Sequence, residues 1–232
     1  MSIIVDCNIT EKIEKSLKDE KIEFFKSFDI KNLYFPVGTH PDMQIHFTNE
    51  RLAFVAPIAF SHYEKILPPN IRLIKGAKDP EARYPGDCAY NIAVIGKRVV
   101  GNLKYIDAKL KEYYSSKGYD FINVNQGYSK CNLCIVDENS VITEDEGLFE
   151  SLSKKGINVL KIRPFGVDLP GFSHGFIGGA SGFIASRKIA FYGDLTKHPD
   201  YSLISEFIKE RGVAISCISA ERLTDYGSIL FF

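Results

Sequence analysis

Apolar residues along this chain fall into short runs separated by turn signals, with one longer amphipathic stretch in each cycle. The first cycle opens on polar and small residues at 38–44 and continues as Ile45-His46-Phe47, the turn Asn49-Glu50 and the apolar run 52–55. A helical stretch over 61–67 follows, stopped by Pro68-Pro69, and a third apolar run at 71–74 ends the cycle. Short runs bounded by turn residues predict strands, and the longer stretch predicts a helix that proline terminates. The same order recurs three times. The second cycle has runs at 92–95, 99–100 and 121–124, with a helix over 106–116; Asp107 sits in its first turn and Gly118 just past its end. The third has runs at 131–136, 141–143 and 157–160 with a helix over 146–154, and the fourth has 182–185, 188–191 and 213–215 with a helix over 201–211.

The marks are evenly spaced. Asp42 to Asp87 is 45 residues, Asp87 to Cys131 is 44, and Cys131 to Gly178 and Gly178 to Asp225 are 47 each. A period held over five marks is the signature of a repeat architecture. The C-terminal residues 225–232 read as a first strand with nothing after it. The N-terminus supplies the remainder: a strand at 3–5, a helix over 11–25 with Ile13, Leu17, Ile22 and Phe25 as its apolar stripe, and a strand at 32–35. The pattern therefore predicts a single α/β domain over 1–232, an α/β propeller of five pseudo-symmetric ββαβ units. The units lie near 38–75, 84–125, 127–162 and 174–218, and a split one joins 223–232 to 2–36. Pairing of the N- and C-terminal segments closes the ring and removes an open edge.

Composition changes this picture little. With 45% hydrophobic and 25% charged residues the 232-residue chain is globular, and 29 basic against 29 acidic residues argue against nucleic acid as a partner. No stretch approaches the roughly 18 apolar residues of a membrane helix. The N-terminal run lacks a basic flank and is too short for a signal peptide. The five cysteines, odd in number and scattered, are read as reduced thiols of a cytoplasmic protein.

Candidate chemistry gathers at the strand entrances. Asp42, Asp87 and Asp225 stand in register; brought to one axis they would repel one another and need a cation, a basic ligand or a shared proton, whereas singly each is a turn residue. His40, Asp42, Gln44 and His46 alternate, which in a strand puts them on one face. That face is either a base with its orienting carboxylate, an incomplete metal site, or plain solvent-exposed surface. Cys131 and Cys134 form a C-x-x-C, but on a strand they point to opposite faces, so joint zinc ligation is not expected. Cys131 is then a nucleophile facing the axis or a small buried hydrophobe. Its rival Cys88 is blunted by neighbouring Asp87. The glycine-rich stretch 175–182 lacks a Gly-Lys-Ser/Thr ending and leads into a strand, so it is no phosphate loop. Its small residues instead let the backbone come close to the axis and leave room for a ligand beside His174 and Ser181. Asp194, Lys197 and His198 either cap the helix that follows or line the rim. Nothing points to a metal, nucleotide, flavin or haem cofactor.

Five ββαβ units with one split between the termini, together with the segments 127–132, 174–182 and 193–201, resemble a bacterial branch of the pentein fold, the guanidine-group-modifying superfamily. That group holds amidinotransferases, arginine and agmatine deiminases, and a non-catalytic ribosome anti-association factor. The resemblance implies a ligand at the pseudo-fivefold axis, a cysteine nucleophile in the last unit, a histidine, and carboxylates that grip a guanidinium. Here the last unit offers Asp225-Tyr226-Gly227-Ser228 without a cysteine, and Cys217, one strand earlier, reads as core. Two readings follow. One is a site for a small polar or cationic molecule, an amino acid or guanidino compound, with hydrolase-like chemistry by Cys131, His40 and His174 and binding by Asp42, Asp87, Asp225, Ser181 and Asp194. The other is a non-catalytic factor that binds a protein partner on the same scaffold.

Overall fold

The computed structural model describes residues 2–48 and 50–232, so Asn49 of the turn expected at Asn49-Glu50 lies outside the described residues. The chain forms five small sheets of three strands each. The first contains β3 (Ile45–Phe47), β4 (Leu52–Val55) and β5 (Arg72–Lys75). The second contains β6 (Ala93–Ile95), β7 (Arg98–Gly101) and β8 (Asp120–Asn123). In the third, β9 (Cys134–Asp137), β10 (Ser140–Thr143) and β11 (Asn158–Lys161) pair, and in the fourth β12 (Ser181–Ala185), β13 (Lys188–Phe191) and β14 (Ala214–Cys217). The fifth joins the chain ends: β15 (Leu230–Phe231) runs antiparallel to β1 (Ser2–Val5), with Ile3 opposite Phe231 and Ile4 opposite Leu230, and β1 is parallel to β2 (Glu23–Lys26). In every sheet the first strand is antiparallel to the central one and the central one parallel to the third.

The reason is the same in each unit. Central strands β1, β4 and β10 are buried along their whole length, as continuous runs must be when both faces are covered. A parallel third strand needs a crossover, which a helix supplies. Four of these helices bury an i, i+4 pair against their sheet: Ile13 and Leu17 in α1 (Glu11–Asp19), Leu110 and Tyr114 in α3 (Ala108–Ser116), Leu148 and Leu152 in α5 (Glu146–Ser153), Ile204 and Ile208 in α6 (Tyr201–Glu210). The crossover helix of the first sheet, α2 (Phe60–Ile66), buries Tyr63. Thr10, Asp107 and Asp145 cap α1, α3 and α5 by accepting from first-turn N–H groups. Gly156, at φ +74°, turns the chain out of α5.

Five sequence expectations are corrected. The helix expected over 11–25 ends at Asp19, and the third strand of the split unit is 23–26, not 32–35. Ile22 and Phe25 fit a helical stripe, but Phe24 and Phe25 pair with Ile3 and Ile4 of β1, and long-range pairing outweighs local spacing. Residues 40–44 are not strand: 3-10 turns occupy Val37–Thr39 and Pro41–Met43, and β3 starts at Ile45. His40, Asp42 and Gln44 are buried, so the alternating solvent-exposed face does not exist. Cys131 lies in a short helix, α4 (Ser129–Asn132), ahead of β9. Cys217 ends β14 exposed to solvent and is not core.

Candidate functional site

The segments that lead into the five first strands meet at one polar cluster, two of them supplying an aspartate and the others an asparagine, a cysteine and a glycine pair. Asp42, in the turn before β3, accepts from Ser228 Oγ (2.6 Å) and Cys131 Sγ (3.0 Å), both at Oδ2. Asn91, just before β6, donates from Nδ2 to Cys131 Sγ (3.1 Å) and accepts from the Lys130 and Cys131 N–H groups. Gly178 and Gly179, before β12, lie against the same group: the Gly179 N–H donates to the Cys131 carbonyl at 2.7 Å and the Ser228 N–H to the Gly179 carbonyl at 2.8 Å. Asp225, before β15, accepts from the N–H groups of Phe176 (3.0 Å) and Gly227 (2.9 Å). A Cβ on Gly179 would overlap the Asp225 carboxylate, and one on Gly227, itself at φ +72°, would overlap the His40 ring. Glycine is what lets the backbone come this close.

His40, Cys131 and Asp225 also come together. One donor atom from each lies within 4.8 Å of the others, and all three are buried. His40 Nδ1 is 3.9 Å from Asp225 Oδ1, while its Nε2 has no hydrogen-bond partner. One imidazole, one thiol and one carboxylate are three donors, one short of a closed zinc site. These residues line a cavity of about 220 Å³ walled by Tyr34, Tyr128, Phe172 and Phe176 and by His174. The His174 ring stands edge-on to Phe165 and Phe176, and Ser173 Oγ lies 3.0 Å from its Nδ1.

The electrostatics of the cluster are set by burial. Desolvation lowers the pKa of His40 against the opposing pull of Asp42 and Asp6, keeping the ring neutral. It raises Asp42 despite His40 and the Ser228 hydrogen bond, and lifts Asp225 to about 6 although two N–H groups and Lys130 oppose it. The Cys131 thiol is held well above its ordinary range by burial first and by Asp42 and Asp225 next. It is therefore a thiol rather than a thiolate. Glu144 accepts from the Ile177 N–H at 3.1 Å, and burial pushes it up to about 8.

The other expected residues are placed as follows. Asp87 is buried but sits outside the Asp42–Asp225 group, accepting from the Tyr128 hydroxyl (2.6 Å) and from Cys88 Sγ (3.1 Å); Tyr128 in turn pairs with the Tyr34 hydroxyl. Burial, then Asp87, pushes the Cys88 thiol up. Ser181 Oγ donates to the Ile177 carbonyl (2.7 Å) and lines a different cavity. Asp194 caps the 3-10 turn Leu195–Lys197 by accepting from the Thr196 N–H and makes no hydrogen bond to the cluster among the described residues. Sequence reasoning missed Asp6, Asn91, Lys130 and Ser228. Asp6, at the end of β1, accepts from Thr39 Oγ1 (2.8 Å) and has a pKa raised by burial. Asn91 carried a readable signal, a polar residue directly ahead of an apolar strand, but the even repeat spacing pointed to Asp87 in its place.

No helix among the described residues is long and apolar enough to cross a membrane. No curated protein matches the chain. Among solved structures, dimethylarginine dimethylaminohydrolase from Pseudomonas aeruginosa, a cysteine-to-serine mutant complexed with citrulline, aligns at TM-score 0.55 and 13% identity over 90% of this chain and 80% of that one. An amidinotransferase from Microseira wollei in the saxitoxin biosynthetic pathway aligns at 0.53 and 10% identity over 94% and 88% of the two chains. The C. jejuni agmatine deiminase aligns at 0.50 and 14% identity over 93% and 74%. At such identities the likeness is one of fold, and that fold, mixed α/β with five three-stranded sheets, is the pentein one. By sequence, over residues 4–230, the chain belongs to the family of unknown function DUF6873.

Proposed function

We propose that the chain is one domain, a propeller-like ring of five units, that binds a cationic amino acid or guanidino compound on its axis and acts on it as a hydrolase. The observation that carries this reading is the convergence of His40, Cys131 and Asp225 within 4.8 Å at an aromatic-walled cavity. Buried carboxylates with few positive neighbours favour a cation, and the faces of Tyr34, Tyr128, Phe172 and Phe176 suit a flat cationic group. A guanidinium seated against Asp225 would offset the negative field that holds Cys131 protonated, so the ligand itself favours the nucleophilic form. Attack by Sγ on the guanidinium carbon forms a C–S bond and breaks a C–N bond. The thiol proton passes by way of Asp42 to the departing amine. Water, deprotonated by neutral His40, then releases a ureido product and restores the thiol. His174 belongs to the binding wall and Asp87 supports it through Tyr128. Five free thiols fit a reducing compartment, and we place the protein in the cytoplasm.

Calorimetry with agmatine, arginine and neutral citrulline tests the reading. The cations should bind more tightly than citrulline, Asp225→Asn should weaken them at least tenfold, and Cys131→Ser should keep binding while abolishing ureido product. If no guanidino compound binds, or Asp225→Asn binds unchanged, the reading is wrong. A protein-binding role has one observation in its favour: Phe165, Phe172 and Tyr84 are exposed and pack on His174, Tyr34 and Tyr128, so aromatics surround the cavity mouth. A purified partner lost on Phe165→Ser, with guanidino compounds inert, would favour that role.

A further inference from the structure

A second cavity, of about 290 Å³, reaches Asp42, and all five first strands line it. Its volume is close to the lower end of small-molecule pockets, roughly 300 Å³. The walls are apolar, with Ile45, Ile92, Ile135, Phe183, Ile229 and Leu230 contributed by β3, β6, β9, β12 and β15 or the residues directly before them. The polar residues are few, and three are already spent, Ser181 by donating to the Ile177 carbonyl. His46 is bonded to the Tyr114 hydroxyl (2.7 Å) and held neutral, its pKa lowered to about 3 by burial; Tyr90 donates to the Lys78 carbonyl (2.7 Å).

Asp42 and Lys130 are different. Asp42 is 2% exposed, and its Oδ1 has no hydrogen-bond partner, although a buried carboxylate oxygen left unpaired is destabilising. Lys130 Nζ donates to Ser228 Oγ (3.1 Å) alone among the described residues, which leaves two of its N–H groups for a ligand. Ser228 Oγ stands between them, 2.6 Å from Asp42 Oδ2. One side of this cavity is therefore a dipole: an unsatisfied acceptor at Asp42, unspent donors at Lys130, and apolar walls above.

We infer that this cavity binds an apolar α-amino acid, its ammonium on Asp42 Oδ1, its carboxylate on Lys130 Nζ and its side chain along the five-strand walls. The pairing of charges selects the class. A simple amine would meet Lys130 as a like charge and a simple carboxylate would meet Asp42, whereas a zwitterion laid against the dipole satisfies both. The site is separate from the cavity of His40, Cys131 and Asp225, and it does not depend on the guanidino reading.

Calorimetry on the full chain with L-leucine and L-phenylalanine decides it, with 4-methylpentanoate and isoamylamine as the two half-ligands. One of the amino acids should bind at least tenfold more tightly than either half-ligand, and Lys130→Met should weaken it at least tenfold. Ile135→Trp, which fills the cavity, should abolish amino-acid binding and leave agmatine binding as in the wild type. Should Ile135→Trp lose its native circular dichroism, Val94→Phe at the same mouth serves under the same criterion. Absence of binding by both amino acids overturns the inference. So does a half-ligand that binds as well as the amino acid, binding that survives a filled cavity in a folded variant, or competitive displacement by agmatine.

Discussion

The outer layer of this protein and its centre are built from the same units but obey opposite rules. Outside, unit after unit repeats one solution: an apolar central strand under a helix that buries residues four apart, such as Leu110 and Tyr114 or Leu148 and Leu152. At the centre the contributions differ: aspartate, asparagine, cysteine and glycine arrive from four strand entrances, and only the fifth repeats one, a second aspartate. The layer is redundant, while the centre concentrates titratable groups held away from water, and it is burial first that raises Asp42, Asp225 and Cys131. Strain of this kind, kept inside an otherwise consistent scaffold, is where function is sought.

The difference can be broken at several points. The largest effect belongs to the layer: Leu148→Ala, at a fully buried position, should cost about 2–5 kcal/mol in chemical denaturation and leave ligand affinity intact. At the centre the sign should reverse. Asp225→Asn should raise ligand-free stability by about 1–3 kcal/mol at neutral pH, because ionising a fully buried carboxylate whose pKa is lifted to about 6 works against folding there. The two N–H bonds that Asp225 accepts return part of that cost. Loss of stability in that variant would place Asp225 with the structural residues.

The pH dependence sharpens the same contrast. With its folded pKa raised above the unfolded value of about 3.9, Asp225 holds a proton more readily in the native state, so its contribution to stability falls as pH rises through roughly 4–6. The melting-temperature gap between Asp225→Asn and wild type should therefore widen from pH 4 to pH 7, and the affinity for a cation should drop below about pH 6; a gap independent of pH contradicts this. Next in size, Asp145→Ala removes the α5 cap and should cost about 1 kcal/mol. Least of all, Lys15→Ala, in an exposed i, i+4 pair with Asp19, should leave the denaturation midpoint unchanged.

Legibility followed the same division. Helices α3, α5 and α6 and the strands around them were readable because each is specified locally, by apolar spacing, an aspartate directly ahead of the helix and a glycine stop. Segment 20–44 was not. Its stripe Ile13, Leu17, Ile22, Phe25 continues helical spacing past the point where Phe24 and Phe25 become a strand beside Ile3 and Ile4, a partner some 20 residues away in sequence. The alternation of His40, Asp42 and Gln44 mimics a strand, yet Pro41 leads a tight turn that buries all three. Cys131, Asp42, Asp225 and His40 were singled out from residue type and spacing, and the structure brings them together; Asp194 was singled out on the same grounds and caps a turn instead.

What the sequence determined by itself is the repeat: its period, its strand and helix order, and the match of a lone C-terminal strand to an N-terminus lacking one. These are encoded by side chains only a few positions apart, where periodicity and turn chemistry act directly. Only the tertiary structure decided which of five equivalent entrances carries which group, that Asn91 rather than Asp87 faces Cys131, and that Asp42 bonds Cys131 while lining a second cavity. Those relations join residues 40 to nearly 190 positions apart, where no local pattern reaches and burial alone sets charge and partner.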